Sequence, residues 1–165
     1  MNYDFRERKR TRWEGFDYNS AGAYFITICT QNRRQILSTI VGCDVLDAPK
    51  TVLLHHGAIA DKYLQQLSDF YDYLEVDQYV IMPNHIHIML IVYDHEDVSA
   101  TKQHSAMSRF ISTFKRFCNK EYGENIWQYR SNDHIIRNRQ DHEEHLRYIY
   151  ENPIRWYCDE LYTDE

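Results

Sequence analysis

Apolar positions along the chain follow two periods, one of two residues and one close to 3.6, and their succession predicts the elements. Residues 24–30 (YFITICT) are β-branched and aromatic and read as a strand. Residues 31–50 keep neither period and carry turn signals at Asn32, Gly42 and Asp47-Ala-Pro49, so they read as irregular. From Thr51 to about Phe70, Val52, Leu53, Ala60, Tyr63, Leu64 and Leu67 recur at helical spacing. Leu74, Val76, Gln78 and Val80 alternate as in a strand that ends near Met82. Pro83-Asn84 interrupts, and residues 85–92 resume as a second strand, which together predict a hairpin. Residues 94–103 form a polar loop. A long helix follows over 105–122, with Phe110, Phe114 and Phe117 on one side and Gly123 as its terminator. Residues 127–137 read as extended, and a third helix covers 141–151, with Pro153 as its stop.

The order is strand, helix, strand, strand, helix, strand, helix. Its first six members give the βαββαβ order of a ferredoxin-like sandwich, an α+β fold in which an antiparallel sheet carries helices on one face. The last helix is an addition. With no internal repeat and no linker, residues 1–165 are expected to form one domain, with a basic arm over 1–14 and an acidic tail over 158–165. A chain of this length buries roughly 70% of its unfolded surface and needs no staples.

Composition narrows the classes. Glycine (5) and proline (3) are too scarce for a linker or a disordered chain. The longest apolar stretch, residues 80–92, is broken by Asn84, His85 and His87 and is too short for a bilayer. The first residues are charged where an export signal needs an apolar run, so a cytoplasmic location is expected. Cys29, Cys43, Cys118 and Cys158 form no CxxC pair and read as reduced, buried thiols. The net charge of −6 is uneven: residues 1–12 and 102–139 are each net positive, which keeps nucleic acid open as a partner. A solvated helix face explains such clustering equally well.

Two constellations could carry chemistry. In a strand, His85 and His87 project side by side, while Ile86, Ile88, Leu90 and Val92 take the other face and pack on helices. Two imidazoles on one strand are half of a divalent-metal site. An isolated H-x-H pair is more often two hydrogen-bonded histidines on a solvated face. The remaining helix places Asn152 about 40° from Tyr148 around the axis, whereas Tyr150 points away. A phenol and an amide one turn apart can both address one phosphate; equally, Tyr148 can be a half-buried core tyrosine, one of 14 in the chain. His145, one turn before Tyr148, is either an aid to proton transfer or a surface residue.

The segments Val80-Ile-Met-Pro-Asn-His85-Ile-His87, Trp127-Gln-Tyr with Asp133-His-Ile-Ile-Arg137-Asn, and Tyr148-Ile-Tyr-Glu-Asn-Pro153 resemble the HUH single-tyrosine transposases, and more narrowly the REP-associated tyrosine transposases of bacteria. Gly15-Phe-Asp-Tyr and Gly22-Ala-Tyr-Phe-Ile-Thr-Ile-Cys-Thr-Gln-Asn-Arg33 fit the same group. The resemblance covers most of the chain and implies a ferredoxin-like fold. It further implies a metal-dependent endonuclease and strand transferase that cleaves single-stranded DNA beside hairpins through a 5′-phosphotyrosine. By the same resemblance, Tyr148 is the nucleophile, and His85 and His87 are ligands of Mg²⁺ or Mn²⁺. Asn152 stands where many insertion-sequence relatives have a glutamine ligand; it is shorter. Lys115 falls where the family has a basic residue and is expected, with Arg116, to meet phosphates; Arg6, Arg8, Lys9, Arg10 and Arg12 would hold DNA backbone. Insertion-sequence relatives pair as dimers, which leaves monomer and homodimer both open here, and action at the nucleoid is implied. The competing reading is a non-catalytic nucleic-acid binder on the same fold, for which the glycine-aromatic signature of RNA-recognition domains is missing and the paired histidines have no purpose.

Overall fold

The structure is a computed structural model describing residues 20–42, 48–95, 105–158 and 161–162. Its elements are β1 (Gly22–Cys29), β2 (Ser38–Val41), β3 (Lys50–Leu53), α1 (His55–Phe70), β4 (Leu74–Ile81), β5 (His85–Val92), α2 (Ala106–Tyr122), β6 (Asn132–Ile135) and α3 (Arg139–Arg155). Four strands form one antiparallel sheet in the order β4-β5-β1-β6, the arrangement expected of a ferredoxin-like fold. No helix among the described residues is long and apolar enough to cross a membrane.

The sheet has two different faces. Ile26 and Ile28 from β1 and Ile86, Ile88 and Leu90 from β5 bury themselves with Ala60, Leu64 and Leu67 of α1 and Phe110 and Phe114 of α2. Each such side chain contributes about 1.5–3 kcal/mol on leaving water. The alternate residues face α3, where, among the described residues, the buried apolar cluster is small: Phe25, Met89 and Ile149. That side also buries His85, His87, Thr27 and Asn152. Stability therefore comes mainly from the α1/α2 face, and α3 closes over a layer that is largely polar.

Four local expectations change. Residues 38–41 and 50–53 pair as a small antiparallel ribbon, so the stretch before α1 is not wholly irregular and Thr51, Val52 and Leu53 are strand residues. Helix α1 begins only at His55, after Leu54 donates its N–H to Leu37 O at 2.9 Å. In β4 the pairing jumps between Val76 and Gln78, a bulge at Asp77. An extra residue reverses the alternation, so Leu74 and Val76 belong with the main core and Val80 with the α3 side. Finally, α3 runs through Pro153 to Arg155; the proline removes one N–H from the last turn, where it leaves the helix able to finish. Ser105 caps α2 by accepting from Ser108 N, and Gly123 ends it at φ 77°, a left-handed conformation that suits glycine. Cys29 and Cys118 are buried, as expected. Cys43 and the Cys158 side chain lie outside what is described.

Gly57, in the first turn of α1, lies against the chain before β2: a Cβ there would stand 1.9 Å from Leu37 O. Because backbone must move to relieve that overlap, Gly57→Ala is expected to cost about 1–3 kcal/mol, measured as a lower urea midpoint at unchanged m-value; an unchanged midpoint would refute this packing.

Candidate active site

The pairing of β1 with β5 sets Thr27 opposite His87 and Cys29 opposite His85. Thr27 Oγ1 lies 2.9 Å from His87 Nδ1. Asn84 donates from Nδ2 to Leu161 O at 2.8 Å, which turns its Oδ1 to His85 Nδ1, also at 2.8 Å. An amide oxygen only accepts, so the neutral His85 ring carries its proton on Nδ1 and keeps the Nε2 lone pair. Burial, with the neighbouring His85 and His145, holds the His87 pKa well below its ordinary value, so this ring is neutral near pH 7.

Helix α3 lies across both imidazoles. Tyr148 meets the His87 ring edge-on at 5.1 Å between centroids, and Trp156, two turns later, approaches His85 at 5.9 Å. Asn152 is between them at the same helical spacing and fully buried. The two imidazole rings are themselves 4.5 Å apart. Phe25 stacks on His87 at 5.0 Å and touches both His145 (4.7 Å) and Tyr148 (5.9 Å). A cavity of about 450 Å³ opens above this layer, lined among others by Thr27, His87, Glu144, His145, Tyr148 and Leu161. It reaches the phenol and, of the strand pair, His87; His85 and Asn152 do not line it. Tyr148 is 37% exposed and lines this cavity, and Tyr150 at 64% points away.

These residues fit a divalent cation. His87 Nε2 is buried and meets no hydrogen-bond partner among the described residues. Trp127 Nε1 in the main core shares that condition, so burial alone does not mark a ligand. What sets His87 apart is a nitrogen ligand type, a neutral ring, an orienting bond at Nδ1 and a phenol beside it.

The other expected residues are not gathered here. Lys115 and Arg116 lie on α2, across the sheet from the cavity. Lys115 Nζ donates to Gln128 O at 2.8 Å and Tyr129 O at 3.3 Å, tying α2 to the segment before β6, while Arg116 is exposed beside Phe117. Arg6, Arg8, Lys9, Arg10 and Arg12 fall outside the described residues, as does most of the acidic tail. Thr27, Asn84, Phe25 and Trp156 were not singled out from sequence, since their parts come from strand register and helix docking. His134 and Asp141 were missed too: His134 Nε2 is 3.0 Å from both Asp141 carboxylate oxygens.

Burial lowers the Lys115 pKa from its ordinary 10.5 to about 8. Between those values the unfolded chain binds a proton that the folded protein lacks, so this residue adds stability as pH rises from 8 toward 10.5 and the cost of a buried charge returns below 8. Urea titrations of wild type and Lys115→Met are expected to diverge in favour of wild type as pH rises from about 8 to 10; a constant difference would show that Lys115 is solvated.

No family model matches the chain. An uncharacterized protein of Haemophilus influenzae is 27% identical over 99% of this chain and 97% of its own length. A REP-associated tyrosine transposase of Escherichia coli is 29% identical over 84% of this chain and 70% of its own. Among solved structures, a REP-associated tyrosine transposase bound to a REP hairpin superposes with a TM-score of 0.61 at 23% identity, covering 88% of this chain and 74% of that one, and shares its fold. In sequence over most of its length this chain is similar to REP-associated tyrosine transposases, and it shares the fold of one of them.

Proposed function

We propose that the protein is a transposase that cuts and rejoins single-stranded DNA beside hairpins, with Tyr148 as nucleophile and His85, His87 and Asn152 as holders of Mg²⁺ or Mn²⁺. The observation that carries this reading is the meeting of Tyr148 with His87, 5.1 Å ring to ring at the floor of an open cavity. Hairpin DNA as the partner is supported by the relative solved with a REP hairpin.

A phosphodiester resists attack because its anionic oxygens repel the nucleophile and its alkoxide leaves poorly. A divalent cation held by His85, His87 and Asn152 would supply charge stabilisation to the phosphate. The chain's own residues do the rest. Thr27 and Asn84 orient the two imidazoles through Nδ1, and Phe25 stacks against one of them. The Tyr148 oxygen attacks phosphorus, the bond from phosphorus to the 3′ oxygen breaks, and a 5′-phosphotyrosine and a free 3′-OH result. That ester conserves the bond energy, so the 3′-OH of another strand reverses the step and joins DNA without a nucleotide triphosphate.

Tyr148→Phe keeps the ring packing and removes the nucleophile. With Mn²⁺ and hairpin-bearing single strands it is expected to bind DNA as wild type does and to form no covalent adduct on a denaturing gel; an adduct retained by this variant would move the nucleophile elsewhere, with Tyr150 the first to map by mass. Wild type that binds but forms no adduct at any Mn²⁺ or Mg²⁺ concentration would leave the simple binder as the function.

The orienting bonds give a separate expectation. Thr27→Val and Asn84→Ala are each expected to weaken Mn²⁺ binding by about 10–100-fold, read by electron paramagnetic resonance of free Mn²⁺. Unchanged affinity in both would remove the cation from this site.

A further inference from the structure

Beside Tyr148 lies a second group that the proposed mechanism has not used. Asp141, in the first turn of α3, accepts from Arg137 N at 2.9 Å and from His134 Nε2 at 3.0 Å to each oxygen, and His145 Nδ1 lies 3.1 Å from its Oδ1. His145 Nδ1 also lies 2.8 Å from Asp141 O. A carbonyl and an ionised carboxylate only accept, so Nδ1 carries the proton and Nε2 is left as the basic nitrogen. His134 stacks on His145 at 4.5 Å and 17°, which fixes the ring from the side. Phe25 holds it from the sheet. Burial opposes ionisation of Asp141, but the bonds from Arg137 and His134 and the neighbouring imidazoles outweigh it and hold its pKa below the ordinary value. The backbone carbonyl of Asp141 thus orients the imidazole by its Nδ1 proton, with the carboxylate beside it, and an imidazole fixed through Nδ1 is how hydrolases position a base. His145 and Tyr148, three residues apart on α3, line the same cavity.

We propose that His145, positioned by Asp141 and His134, is the proton acceptor for the Tyr148 phenol. This rests on the proposed strand transfer through Tyr148. As the phenol oxygen bonds to phosphorus, its O–H bond breaks and the proton passes to His145 Nε2. The bond from phosphorus to the 3′ oxygen breaks with its electron pair, that oxygen takes a proton from solvent water, and His145 later releases its own to solvent. In the reverse step the protonated ring returns a proton to the departing phenolate. The need is real, because an unperturbed phenol near pKa 10 is almost wholly protonated at neutral pH. The cluster also contains two imidazoles and a carboxylate, a donor set that suits a transition metal, but the His145 Nδ1 proton held by Asp141 O occupies the nitrogen such an ion would need.

The test has one arm without metal or turnover and one with both. In the metal-free protein, a long-range ¹H–¹⁵N spectrum is expected to show neutral His145 as the Nδ1–H tautomer; the Nε2–H tautomer would overturn the proposal. In single-turnover adduct formation with Mn²⁺ and a hairpin-bearing strand, His145→Ala is expected to be slower by roughly 100-fold or more, to recover at least in part with added imidazole, and to lose much less when Tyr148 is replaced by the more acidic 3,5-difluorotyrosine. His145→Gln, which fills the space, is expected to be slow and not rescued. A rate in His145→Ala within threefold of wild type, or a loss that neither imidazole nor the acidic phenol relieves, overturns the proposal while Tyr148-dependent adduct in wild type leaves strand transfer standing. Absence of that adduct in wild type would instead overturn the parent reading.

Discussion

The pairing of β1 with β5 is the constraint on which the rest depends. Eight consecutive residues of each strand are matched, from Gly22 with Val92 to Cys29 with His85. Since side chains alternate, this register sends Ile26, Ile28, Ile86 and Ile88 to the α1/α2 core and Phe25, Thr27, His85 and His87 to α3. A slip of one residue would exchange the two sets. Two imidazoles would then enter an apolar core, and the isoleucines would face a polar layer. The hydrophobic effect thus fixes Thr27 against His87 without any contribution from the site itself.

Where a single strong pattern decided an element, the sequence was enough. The apolar alternation of β5, the aromatic face and glycine terminator of α2, and the βαββαβ order are all legible before any coordinates. The β2–β3 ribbon was not: its strands have four residues each and an exposed outer edge, and Val52 and Leu53 fit the spacing of the helix that follows them equally well. The bulge at Asp77 was hidden because an alternation looks continuous until the partner strand shows an extra residue. Pro153 marks the end of α3 only approximately, since the last turn tolerates a missing N–H better than the interior does.

The site divides along the same line. His85 with His87, and Tyr148 with Asn152, are pairs whose geometry follows from one strand or one helix, and each pair was visible from spacing. Asn84 and Thr27 act through a turn and a neighbouring strand, and Asp141 through a helix start, so their parts appear only with tertiary structure. Lys115, expected at a phosphate, donates to two backbone carbonyls across the sheet from the cavity, a place that also appears only with tertiary structure. The basic arm cannot enter this comparison, as it lies outside the described residues.

The rotational phase of α3 links these observations. Asn138 caps the helix by accepting from Asp141 N at 2.9 Å, and Asp141 reaches back to His134 on β6. These bonds fix where the helix starts and how it is turned relative to the sheet. From that start, His145, Tyr148, Asn152 and Trp156 recur at three or four residues and present one face to the imidazoles. A start one residue later would rotate that face by about 100° and carry Tyr148 off His87. Among the described residues, Ile149 and Leu146 are the aliphatic hold of α3 on the sheet side, with the Tyr148 ring against Phe25, too little to set its phase alone. The cap and the carboxylate therefore do for the helix what strand register does for the sheet: a local bond at the edge of the element determines which side chains converge at its centre.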